Sequence, residues 1–566
     1  MAGMDRRIKL GQMALAGRLA AALLLAAVPV EALGAGAAER DTLTIGITTY
    51  PPILNPLIDA VGVKSYVLGF VLRPLTGFDK DWKPVCLLCT ELPTIENGKA
   101  VLEDRPDGKR GIAVTFTLPP DATWGDGTKV TTRDVRFTWE VGRNPKTGAA
   151  NAEQFRRITD VTAIDDKTFT LHVDRVTFDY NIIDLELIPE HLERAAFEDP
   201  AQYRTRSLYV TEPTNPGLYF GPYRIAEAES GSHIVLERNP TWWGKPAAFR
   251  RIVVRAIENT AALESNLLSG SVDYLDGDFG LSLDQALAFE KRHDPRFKVI
   301  YKPSLVYSHI DLNLDNPLLQ DVRVRRALLM ALDRDGLNRQ LFDGKQPPAD
   351  SFMSPLDAAH DPNGLTYPYD PAGAARLLDE AGWTGKRNGV RINAAGQPLS
   401  LEINGAAGNR TGELVEQVLQ ADWRKVGIEV KIRNLAARVL FDNLSKRRFS
   451  AMGFFAWGSP PENVPRTILR SDQIPSEANN WDGQNYTGYR DPETDRLLDQ
   501  IEAELDRDKR RVLWFALQRR YAEALPVLPM YFRSNGFVMP TWLGGVEPTG
   551  HMFPTSLWVE SWTVTP

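Results

Sequence analysis

Apolar and polar residues alternate through Thr42-Leu43-Thr44-Ile45-Gly46-Ile47, the period of a half-buried strand, and the run breaks at Tyr50-Pro51-Pro52. The same two-residue period marks Val114–Leu118 and Phe169–Val173, with Asp126-Gly127 between them as a tight-turn signal. Helical spacing follows Thr131 or Thr132, either of which is placed to cap a helix with Val135 and Trp139 on one face. Residues 112–173 therefore read as a small α+β lobe, strands and turns around one helix. From about residue 316 amphipathic helices dominate. After Asp321, Val324, Ala327, Leu328, Ala331 and Leu332 recur at helical spacing. Asp370-Pro371 and Asp491-Pro492 each start a helix with proline in the first turn. The first carries Leu377, Leu378 and Ala381 and stops at Gly382; the second carries Leu497, Leu498, Ile501 and Leu505.

One βαβ unit stands out. Leu399, Leu401 and Ile403 alternate as a strand. A helix from about Gly412 to Val426 then carries Leu414, Val415, Val418 and Leu419 on its apolar side. Gly427 stops it, and Ile428, Val430 and Ile432 alternate again. Such a unit requires a parallel pair of strands joined by a right-handed crossover. The fold class is accordingly α/β, with at least one parallel sheet and a small strand-rich lobe.

The first forty residues belong to another category. Arg6, Arg7, Lys9 and Arg18 precede an Ala/Leu/Val run from Leu19 to Val30, and Ala35-Gly36-Ala37 supplies the small residues a signal peptidase accepts. A spanning helix needs about 20 apolar residues, and this run is shorter. A cleavable signal peptide is expected over 1–38, cut after Ala37 or Ala38, with no lipid anchor because no cysteine follows the apolar run. The 566 residues that include it are too many for one domain and predict two or three. A net charge of −7 argues against a nucleic-acid partner.

Candidate chemistry is sparse. The only cysteines form Cys86-Leu87-Leu88-Cys89, between Trp82-Lys83-Pro84 and Leu92-Pro93. Extended chain there favours a structural disulfide over a redox pair, which wants a helix N-terminus. No serine elbow, phosphate loop or His-Glu-x-x-His occurs, and the seven histidines are scattered singly. No catalytic residue, metal site or cofactor is therefore expected. Trp124 and Trp139 read as core. Arg323, Arg325 and Arg326 read as a solvated helix face with local ion pairs rather than an anion site.

Ala122-Thr123-Trp124-Gly125-Asp126-Gly127-Thr128 with Thr131-Thr132-Arg133-Asp134-Val135-Arg136-Phe137 resembles the signature of family 5 extracellular solute-binding proteins, the dipeptide, oligopeptide and nickel receptors of ATP-binding-cassette importers. Further segments resemble the family in order: Gly221–Ile225, Glu237–Gly244, Asp321–Arg334, Tyr369–Pro371 with Leu377–Trp383, Gly488–Glu493 and Leu525–Pro529. The resemblance implies a type II-like, cluster C periplasmic binding fold. Its first lobe would be 39–77, 209–310 and 528–566, an extra α+β domain 78–208, and its second lobe 311–527. Chain crossings would fall near 301–315 and 523–535. It also implies a monomeric, non-catalytic periplasmic receptor that hands a small peptide or peptide-like solute to an importer's permease subunits. Matching positions make Tyr50, Tyr307, His309, Trp457, Ser459 and Glu462 ligand-contacting candidates. The chain departs from the peptide receptors after Trp457: Gly458-Ser459-Pro460 puts proline where they carry an amine-binding aspartate, and Glu462 is the nearest acid. Peptide-like solutes thus stand first, with sugars, opine-like compounds and metal chelates open behind them, and a periplasmic hydrolase on the same fold as the reading from another class.

Overall fold

In the computed structural model, which describes residues 40–106, 108–292 and 294–565, two unusually long strands, Phe297–Leu312 and Val527–Pro540, pair antiparallel in the middle of a ten-stranded sheet. The expected signal peptide and its cleavage site lie outside the described residues. Across the sheet the strands run Glu429–Ile432, Ser400–Asn404, Met452–Trp457, Phe297–Leu312, Val527–Pro540, Tyr274–Leu275, Thr42–Ile47, Arg251–Ala256, His233–Arg238 and Tyr223–Glu229. On one side of the long pair the βαβ unit forms as read: Ser400–Asn404 is parallel to Glu429–Ile432, and the helix Arg410–Lys425 connects them. On the other side Thr42–Ile47 lies parallel to Arg251–Ala256 and to Tyr274–Leu275.

The long strands leave one apolar core and enter another. Phe537 and Met539 belong to a core with Ile45, Val254 and Tyr274, whereas Ile310, Leu312, Leu528 and Met530 belong to a separate one with Leu401, Val415 and Trp423. Between them the register slips twice, between Pro303 and Tyr307 and between Ser308 and His309. Pro303 and Pro529 stand at these slips, where a residue without an N–H is tolerated. Two cores bridged by one pair of strands make the molecule two-lobed. A four-stranded antiparallel sheet, ordered Ala100–Asp104, Arg110–Thr117, Thr168–Val173 and Ile158–Ala163, shares the first core through Val114, Phe116 and Phe169. The helix Thr132–Arg143 beside it is capped by Thr131, and Asp134 accepts both Thr131 N–H and Glu190 N–H. Trp124 and Trp139 are buried. Cys86 ends a short strand, Pro84–Cys86, and is disulfide-bonded to Cys89.

The aspartate caps stand where proline and polarity put them: Asp321, Asp370 and Asp491 accept from Arg323, Gly373 and Thr494 N–H. Three details differ from the sequence reading. Leu414 faces solvent, because the buried stripe of its helix runs through Val415, Leu419 and Trp423. Leu505 lies beyond the helix Pro492–Ala503, which ends at Glu504. The arginine triplet is not one solvated face. Arg323 pairs with Asp321 at the surface, but Arg325 is buried. Its guanidinium donates to the carbonyls of Leu319, Gln320, Ala524 and Leu525. The last two are orphan carbonyls at the end of the helix Arg507–Ala524, which a cation satisfies favourably.

Removing that guanidinium strands several buried carbonyls, so Arg325→Met is expected to lower unfolding free energy by about 3 kcal/mol. Arg323→Ala is expected to leave it unchanged. Denaturant unfolding monitored by tryptophan fluorescence checks the contrast.

Candidate functional site

A cavity of about 860 Å³ lies between the lobes, within the size range of small-ligand pockets. Segments of the first lobe and its extra domain form one wall: Pro56–Ser65, Ala150–Phe155, Phe178–Glu186 and Met552–Leu557 contribute to it. The second lobe supplies Pro460–Val464, Arg466, Glu502, Arg507 and Arg510. At one edge the walls touch, for Phe178 N–H donates to Glu502 O at 3.0 Å and the Arg510 guanidinium sits 4.3 Å over the Phe178 ring.

The second-lobe wall grows directly from the strand Met452–Trp457. After Pro460-Pro461, Glu462 takes a left-handed backbone (φ 48°), and its N–H donates to the buried Asp357 carboxylate at 2.7 Å. Burial pushes the Asp357 carboxyl up to about 6, against the opposing pull of the Ala359 and Glu462 N–H groups. The Glu462 carboxylate is held by Arg510 at 3.5 Å and Arg507 at 3.7 Å. Arg466 is engaged with Asp499 and Glu502, each at 2.9 Å.

On the first-lobe wall Lys64 is buried in the otherwise apolar helix Gly62–Val71. Its ammonium donates to the carbonyls of Asn55, Pro56 and Ile58 at 3.0, 3.0 and 2.7 Å, and burial lowers its pKa. Asn55 is fixed in turn by Ser207 and Tyr203, and Tyr203 by Glu193. Glu186 is half-buried on the same wall, its backbone bridged to Pro74.

Of the six ligand-contacting candidates, Glu462 lines the cavity, with its charge already engaged by two arginines. Ser459 is half-buried one residue before the lining Pro460. Tyr307, His309 and Trp457 are brought together, but none of them is among the residues that line the cavity. Tyr307 is buried, its hydroxyl 3.1 Å from that of Tyr521 and its ring stacked 4.8 Å from His309. His309 is buried against Phe455, with Nδ1 3.0 Å from Tyr307 O and Nε2 3.4 Å from Asp311. Trp457 lies opposite Tyr307 in the register and is half-buried against Phe455 and Tyr486. Tyr50 packs half-buried on the first core, its hydroxyl pKa raised by burial, and does not line the cavity. Lys64, Glu186, Phe178 and Arg510 escaped the sequence reading; the one available signal was a single lysine inside the apolar run Gly62–Val71.

Among the described residues no group of three or more histidine, cysteine or acidic side chains is placed to hold a metal ion, and no helix is long and apolar enough to cross a membrane.

Two lobes joined by a strand pair, with a cavity of mixed charge between them, define a binding protein of the clamping type. The family model of bacterial extracellular solute-binding proteins, family 5 Middle, matches residues 103–475, more than half of the chain, and the protein belongs to that family. Its sequence is 24% identical over 517 residues to the oligopeptide-binding protein AppA of Bacillus subtilis, covering 90% of this chain and 89% of that protein. It is 23% identical to a nickel-binding periplasmic protein of Escherichia coli, covering 90% and 92%. The fold is similar to that of an oligopeptide-binding protein of Thermus thermophilus solved with a pentapeptide, at TM-score 0.70, 29% identity and coverage of 93% and 96%. It is also similar to NikA of Brucella suis solved with Fe(III)-EDTA, at TM-score 0.75, 21% identity and coverage of 93% and 100%.

Because the folded-state pKa of Asp357 lies above the unfolded value of about 4, the folded protein holds this proton more tightly than the unfolded chain does. Its contribution to stability is complete below about pH 4 and is lost as pH rises through about 6. The unfolding free energy of the native protein minus that of Asp357→Asn is therefore expected to fall by up to about 3 kcal/mol from about pH 4 to pH 7, and to be flat above that. Denaturant titrations of both proteins across that range check the sign.

Proposed function

We propose that the protein is the periplasmic, monomeric substrate-binding subunit of an ATP-driven importer. It captures a peptide-like solute between its lobes and presents it, unaltered, to the permease subunits. The observation that carries this reading is the cavity itself: about 860 Å³, walled by both lobes, with basic and acidic side chains on each side. A peptide carries charges of both signs along a polar backbone, and such walls complement both. The relatives named above include proteins described as oligopeptide-binding. Ligand that touches both walls only when the lobes are together stabilises that arrangement by the difference in contact, which is the signal a permease reads.

Incubation of the mature protein with a synthetic library of tri- to pentapeptides, followed by native mass spectrometry, is expected to show one peptide per chain. Isothermal titration of the retained peptides should give Kd values near micromolar, about −8 kcal/mol, and the peptides should be recovered intact. Hydrolysed products, or no bound peptide at all, would reject the reading.

A further inference from the structure

We propose that Glu186 on the first-lobe wall is the acid that receives a cationic nitrogen of the ligand, an inference that rests on the interlobe cavity being the binding site. An ammonium has three N–H donors, and Lys64, the cation that faces Glu186 electrostatically, donates to Asn55, Pro56 and Ile58 carbonyls. None of these donors reaches the Glu186 carboxylate. Among the described residues that half-buried carboxylate has no side-chain hydrogen bond and no ion pair. Burial accordingly pushes its carboxyl pKa up, with Lys64 pulling it part of the way back.

Among the described residues Asp179, which also lines the cavity, likewise has no ion pair or side-chain hydrogen bond, but it is exposed, whereas the remaining acids on the walls are engaged. Asp59 is held by Arg204, Asp184 accepts from Gln154 at 2.8 Å, Glu462 has Arg507 and Arg510, and Glu502 has Arg466. Glu186 is rigidly placed, through its backbone bridge to Pro74 and the neighbouring Leu75 N–H to Leu185 O bond of 2.9 Å. A half-buried carboxylate that lines a cavity and has no protein donor is completed by a ligand that brings one. The matching chemistry is a cationic nitrogen: a peptide's α-ammonium, or the ammonium or guanidinium of its side chain. On the second-lobe wall Pro460 offers no carboxylate, and those of Glu462 and Glu502 are already paired with arginines.

The test compares the native protein, Glu186→Gln and, as a control away from the cavity, the exposed Asp104→Asn, using free-amine tri- to pentapeptides and the same peptides N-acetylated. Loss of one charge-assisted hydrogen bond corresponds to roughly tenfold to hundredfold in Kd. Glu186→Gln is expected to weaken binding of the free-amine peptides by that factor and to leave uncharged acetylated peptides unchanged. Asp104→Asn should stay within about threefold. Acetylated peptides bearing lysine or arginine that still bind, and lose affinity in Glu186→Gln, would support the inference with the side chain as the source of the cation. Because Glu186→Gln removes a half-buried charge without changing volume, its melting temperature should equal or exceed that of the native protein at pH 8. Native affinity of Glu186→Gln for free-amine peptides would overturn the inference while leaving the receptor reading intact. Binding of neither library to any of the three proteins would overturn both.

Discussion

A single pair of strands carries the chain between two hydrophobic cores, and that constraint governs everything else in the molecule. Phe297–Leu312 and Val527–Pro540 are sixteen and fourteen residues long, well beyond an ordinary strand, because each must serve the first core at one end and the second at the other. Continuous ladder bonding would make this connection stiff. The two register slips, with Pro303 and Pro529 at them, interrupt the ladder between the cores. The lobes are therefore tethered by backbone that is paired at both ends and irregular between, the arrangement in which a few residues absorb a change of angle while each core stays intact.

Both cavity walls are rigidly continuous with that tether or with the cores it joins. Segment 460–464 leaves the strand Met452–Trp457, which is itself paired to Phe297–Leu312, and the Asp357 carboxylate fixes its turn at Glu462. The opposite wall is fixed by the chain of contacts from Lys64 through Asn55 and Tyr203 to Glu193. Movement at the tether would thus translate the walls as units. Opening the cleft would break the cross-lobe contacts of Phe178 with Glu502 and Arg510 and the ion pairs Arg175–Glu502 and Lys291–Asp343.

The architecture was legible from periodicity because burial imposes it locally. Leu401 and Ile403, Val430 and Ile432, and the capping aspartates each declare themselves within a few residues. Leu414 shows the limit, since a stripe of four apolar residues does not say which edge meets the core. The site was less legible for two physical reasons. Tyr307 and His309 lie on a strand whose register with Val527–Pro540 slips beside them, and a one-residue slip exchanges the two faces of a strand; homologous position alone could not decide which face meets the cleft. Lys64, Glu186 and Arg325 look like surface residues in sequence, because what distinguishes them is a set of carbonyl oxygens, or the lack of a donor, contributed by distant backbone.

Those last residues share a logic. Arg325 and Lys64 are buried cations whose hydrogen bonds go to backbone carbonyls and not to acids. Carbonyls satisfy donors without neutralising charge, so the positive field of Lys64 persists into the cavity and compensates Glu186 at a distance while leaving its oxygens free. A ligand cation that reaches Glu186 gains a short-range hydrogen bond and meets a longer-range repulsion from Lys64. In the closed, dry cleft the short-range bond dominates, because removing water strengthens it and deprives Glu186 of any substitute donor. In the open cleft water supplies those donors and screens the attraction. With Glu186 in its proposed role, the same pair of charges would favour retention when the walls are together and release when they part.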